Sequence, residues 1–120
     1  MNAPYTCQAI LLAYSIGTDR EVVDLLHGTV TTADVRSLEF FRTAAFKLQG
    51  AGLLSYAPAP IERRFITSKG RATAPAVLAA LIQRFGDLPI RELIARLAPD
   101  CLAELNAWRA EIGPIAQFIP

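Results

Sequence analysis

Leu48-Gln49-Gly50-Ala51-Gly52-Leu53-Leu54-Ser55-Tyr56-Ala57-Pro58-Ala59-Pro60-Ile61-Glu62-Arg63-Arg64-Phe65-Ile66-Thr67-Ser68-Lys69-Gly70-Arg71 is the stretch that decides the fold. Gly50 and Gly52 end whatever helix precedes them, because glycine takes the backbone angles a helix exit needs. Leu53–Tyr56 has strand character, and Arg63–Thr67 has it again. Between them, Pro58 and Pro60 remove two backbone donors, so that segment is a loop and the two strands form a hairpin with a long tip. Thr67 then ends the second strand and is placed to cap a following helix.

Upstream the pattern is helical. Val35, Leu38, Phe41, Ala45 and Leu48 recur at steps of three and four residues, which predicts a long helix from Ala33 to Gln49 with that stripe inward. Arg36, Phe40, Thr43 and Lys47 then fall on its opposite face. Thr31-Thr32-Ala33-Asp34 supplies a cap for it, and Thr18-Asp19-Arg20-Glu21 is a capping box that starts a shorter helix ending near His27. Before that, Gln8–Tyr14 reads as a first helix, stopped near Gly17. The first 18 residues carry no charged side chain, but no basic residue precedes the apolar run, so a signal peptide is not expected. The run is also far shorter than the roughly 20 residues a bilayer requires.

Downstream, a helix begins at Ser68 and kinks at Pro75, or restarts near Thr73; Ala76–Phe85 is apolar on most sides. Pro89–Leu97 and Pro99–Ile112 predict two more helices, the last with a stripe of Leu102, Leu105, Trp108 and Ile112. The fold class is thus mainly α with a small β-hairpin. Residues 1–86 and 87–120 read as a core unit and a helical extension that packs on it or on a second subunit, one compact domain in all. Leu11, Leu25, Leu38, Phe41, Leu48, Leu53 and Phe65 are the expected core.

The order helix, helix, helix, strand, tip, strand, helix resembles a winged helix-turn-helix. Leu48–Leu54 is similar to the Leu…Gly-Leu-Leu exit of a recognition helix in that superfamily, MarR-like and PadR-like regulators included. Ile66-Thr67-Ser68-Lys69-Gly70-Arg71 is similar to its Thr-x-x-Gly-Arg motif after the wing. The resemblance covers about residues 7–85. It implies a homodimeric, double-stranded-DNA-binding transcription regulator in which Arg36, Thr43 and Lys47 enter the major groove and the wing contacts the backbone. The alternative, second to it, is a protein–protein adaptor that binds no DNA, of a kind found in small phage or prophage proteins, with Phe40 and Phe46 exposed.

Charge placement bears on this choice. The chain has 120 residues and a net charge of +1, so no global field draws it to nucleic acid. The excess is local: Arg63, Arg64, Lys69, Arg71 and Arg84 face only Glu62 within residues 61–86, while the segments on either side are net acidic. Arg63, Arg64, Lys69 and Arg71 are therefore the expected phosphate contacts. The second-subunit interface is expected at Leu102, Leu105, Trp108, Ile112 and Phe118, with Trp108 as anchor.

No enzyme signature stands out. His27 is the only histidine, which excludes a histidine metal cluster, and there is no nucleophile elbow or phosphate-binding glycine loop. Cys7 lies in an apolar helix, where a thiol pKa rises. Cys7 and Cys101 read as buried, reduced thiols of a cytoplasmic protein, and neither a cofactor nor a metal is expected.

Overall fold

A computed structural model describes residues 3–26, 35–58, 60 and 63–116, apart from the side chains of 19, 23, 35–38 and 112–116. Six helices and one hairpin follow in the order α1 (Tyr5–Ile16), α2 (Asp19–Leu26), α3 (Val35–Gly50), β1 (Leu54–Ala57), β2 (Arg63–Ile66), α4 (Ser68–Phe85), α5 (Ile90–Arg96) and α6 (Ala98–Ala116). The chain is mainly helical with one two-stranded antiparallel sheet, as its patterning predicts.

α1 is the hub. Its residues Thr6–Tyr14 are all buried, and it packs against each of the other five helices and against β2. An uncharged helix has no face to give to water, so it takes the centre. Its N-cap is Pro4, which offers no side-chain acceptor. The acceptor comes from α6: Glu104 receives Tyr5 N–H at 2.8 Å, and Thr6 N–H and Thr6 Oγ1–H each at 2.7 Å. A carboxylate at that end also opposes the helix dipole favourably. α2 starts as expected, with Glu21 Oε2 accepting from Thr18 N–H at 2.8 Å. The cap at Thr31–Asp34, and His27, lie outside the described residues.

The two sequence motifs around the hairpin form one joint. α3 ends in a reversal in which Leu53 N–H reaches Leu48 C=O at 2.9 Å and Gly52 N–H reaches Gln49 C=O at 3.0 Å, with Gly52 at φ +78°. Leu53 C=O then accepts from Thr67 N–H at 3.2 Å, and Thr67 Oγ1 donates to Gly52 C=O at 2.6 Å. The same hydroxyl oxygen caps α4 by accepting Gly70 N–H at 3.0 Å. Lys69 Nζ completes the joint on Ala51 C=O at 2.8 Å. Gly70 is buried there with no room for a side chain, since a Cβ on it would lie 2.2 Å from Leu53 O. α4 begins at Ser68 and runs to Phe85 as a single helix with Pro75 inside it, so there is no restart near Thr73.

Of the expected core, Leu11, Phe41, Leu48 and Leu53 are buried and Leu25 is half-buried; Leu38 lies outside the described side chains. Phe65 is a correction, being 43% exposed. Pairing sets Leu54 opposite Ile66 and Ser55 opposite Phe65. Leu54 and Ile66 take the inner face, and the two-residue period of a strand then turns Phe65 outward. α5 and α6 belong to the same core: Leu93, Ile94, Leu97 and Cys101 pack in one cluster with α1, α3 and α4.

Candidate nucleic-acid interface

Of the side of α3 read as a groove-facing surface, Phe40 and Thr43 are turned inward while Lys47 is exposed. Phe40 is 9% exposed and its ring lies 5.5 Å from that of Trp108 on α6. Thr43 is half-buried and donates its hydroxyl to Glu39 C=O of its own helix at 2.9 Å. Both line a cleft of about 220 Å³ between α1, α3 and α6, with Cys7, Lys47 and Trp108. The expectation of an exposed Phe40 is thereby corrected. The physical reason is that α3 packs against α1 and β1 and also against α6, so its buried stripe is wide: Phe40, Phe41, Ala44, Ala45 and Leu48. The small residues Ala44 and Ala45 are the signal that a neighbour approaches closely there.

Among its described side chains, α3 shows Arg42, Phe46 and Lys47 to solvent, with Phe46 60% exposed. Arg42 and Phe46 share one face, one turn apart. The hairpin reaches over this face. Arg64 Nε donates to Gln49 Oε1 at 2.6 Å, and its guanidinium lies 5.3 Å from the Phe46 ring centre. Lys69 sits on the C-terminal end of α3 through Ala51. The structure thus gathers Arg64 and Lys69 beside α3. Arg36 lies within α3, but its side chain is outside the described residues.

Arg63 and Arg71 are exposed and lie on the same cleft beside β2. With Arg64 they line this second cleft, of about 380 Å³, floored by Phe65 and Ile66 and closed by Tyr14, Gly17 and Thr18. The Arg63 guanidinium is 5.9 Å from the Phe65 ring centre, an alignment that limits its freedom.

The expected second-subunit surface fares unevenly. Leu105 is 2% exposed inside its own chain's core, so it offers nothing to another copy. Trp108 is half-buried against Phe40. Leu102 is 50% exposed. The Ile112 side chain and Phe118 lie outside the described residues.

Cys7 and Cys101 are unpaired and buried. Burial pushes the Cys7 thiol above its ordinary pKa, with Lys47 partly offsetting it, and pushes Cys101 up to about 12. Such thiols stay protonated and unreactive near neutrality. Among the described residues no group of three His, Cys, Asp or Glu is placed to hold a metal ion, and no helix is long and apolar enough to cross a membrane. Comparison with protein-family models, with curated proteins and with solved structures found no match to this chain.

Proposed function

We propose that this chain is a winged-helix DNA-binding protein, a small cytoplasmic transcription regulator that grips a duplex with its hairpin and the Arg42–Phe46 face of α3. The observation that carries the reading is the bridge from β2 to α3, in which Arg64 lies on Gln49 and Phe46. It joins the basic hairpin to the exposed face of the helix that precedes it, as a combined groove and backbone contact needs. Lys69, fixed at the end of the same helix, extends the positive surface. Arg42 replaces Thr43 as a groove-facing residue, since Thr43 faces α6.

Fluorescence anisotropy with a 20-base-pair duplex of arbitrary sequence, across a salt series, tests this. Affinity should fall steeply with salt, and Arg64→Ala should weaken binding and flatten the slope by about one counterion per lost phosphate contact. Binding no stronger than that of an unrelated neutral protein at low salt ends the reading.

The exposure of Phe46 favours one alternative, an adaptor that docks a protein on this same face. That reading moves the anchor from Phe40 to Phe46. It predicts no duplex binding at low salt and a captured partner that is lost on Phe46→Asp.

A further inference from the structure

The cleft on the far flank of β2 has a chemistry of its own. Arg63 comes from β2 and Arg71 from the first turns of α4, while Thr18 comes from the turn before α2. Three separate segments thus bring two arginines and a threonine to the lining of one concavity of about 380 Å³. Clefts that hold small molecules measure about 300–1,000 Å³. No carboxylate among the described residues lines it. Glu21, one turn into α2, is folded back onto Thr18 N–H at 2.8 Å.

Like charges lining one cleft repel, and an anion between them removes that cost. Arginine forks match the oxygens of carboxylates and phosphates alike. Two forks and a hydroxyl, however, offer more donors than two carboxylate oxygens accept, and they suit the several oxygens of a phosphoryl group. We infer that this cleft is a phosphoryl-binding site, with Arg63 and Arg71 as its principal ligands and Thr18 as a third donor. Two sources share that chemistry: the backbone of a bound duplex, and the phosphate of a free ligand. The first source rests on the DNA-binding reading; the second does not.

The test titrates the full chain with inorganic pyrophosphate and, separately, with the duplex, using isothermal calorimetry and anisotropy. The variants are Arg63→Gln, Arg71→Gln, Arg71→Lys and, as a control outside both the cleft and the α3 face, Arg91→Gln on α5. Arg63 and Arg71 are exposed, so thermal melting should be little changed and folding is not confounded. The site predicts saturable binding of one pyrophosphate per chain, weakened about tenfold or more by either Gln variant, weakened less by Arg71→Lys, which keeps the charge but loses the fork, and unchanged by Arg91→Gln. Duplex binding weakened by Arg71→Gln without any pyrophosphate binding assigns the site to the DNA backbone. Pyrophosphate binding without duplex binding keeps the site and ends the DNA reading instead. If neither Gln variant alters the affinity for either probe, or if neither probe binds saturably, the inference is overturned.

Discussion

Replacing Gly70 by Ala is the sharpest probe of how this fold is held together. A methyl group on Gly70 would sit 2.2 Å from the Leu53 carbonyl oxygen and 2.7 Å from Ile66 Cγ1. The first distance is about 1.2 Å inside ordinary van der Waals contact, and its neighbour is backbone, which cannot swing aside. Relief requires α4 to lift from the end of α3, and the Thr67–Leu53 and Thr67–Gly52 hydrogen bonds stretch with it. Overpacking of this kind costs about 1–3 kcal/mol, and a weakened hydrogen bond adds about 1 kcal/mol. The better helix propensity of Ala returns about 1 kcal/mol. The net expectation is a loss of about 1–3 kcal/mol, which lowers the melting temperature by roughly 4–12 °C in a chain of this size. Gly50→Ala is the matched control, because nothing lies within 4 Å of the added methyl and the backbone there is not left-handed. Urea titration followed by circular dichroism compares the two. A Gly70→Ala protein as stable as the Gly50→Ala protein would refute the joint.

Four further outcomes are expected. Glu104→Ala should cost about 2 kcal/mol in chemical denaturation, because it leaves the first N–H groups of α1 without their charged acceptor. Phe40→Ala should cost about 3 kcal/mol, and a double-mutant cycle with Trp108→Ala should show a coupling of about 1 kcal/mol; an additive cycle would mean the rings do not touch in solution. Stability should fall between pH 9 and about 12, since the folded state keeps the Cys101 proton over that window and the unfolded chain gives it up. The slope reaches at most about 1.4 kcal/mol per pH unit and should shrink in Cys101→Ala; below pH 9 this group adds no dependence. The proposed pairing of two copies through α6 now rests on Leu102, so sedimentation of the wild type and of Leu102→Glu decides it, and a monomer at high concentration in both removes it.

The local parts of this fold were legible because local chemistry decides them. Gly52 at the end of α3, the two prolines of the tip and Thr67 as a cap are short-range devices, and the hairpin falls within one residue of where the sequence places it. The strand register was not, since whether Leu53 or Leu54 opens β1 depends on the turn that absorbs Leu53, and one residue inverts the placement of Phe65. Helix faces failed wherever a distant partner intervened. Ala44 and Ala45 signal that a neighbour comes close to Phe40 but not that it is Trp108, and nothing near Pro4 announces Glu104, which is 98 residues from the Thr6 it caps. The candidate surface inherits this pattern. The basic residues around the hairpin were readable as a cluster, but their division between the α3 side and the far flank of β2 depends on packing that the linear order does not display.

The central helix has a consequence for the order in which the molecule is assembled. α1 comes early in the chain, yet part of its shell is supplied by α5 and α6. During synthesis its apolar surface must wait, exposed or loosely covered, until Leu93, Ile94, Leu97 and Cys101 have left the ribosome. Contacts spanning nearly the whole sequence also slow the final step, because the loop they close is long and its entropy is lost before the burial is gained. A nascent chain arrested near residue 86 should therefore recruit chaperones or be degraded, while the same chain extended past Glu104 should become protease-resistant in a single transition.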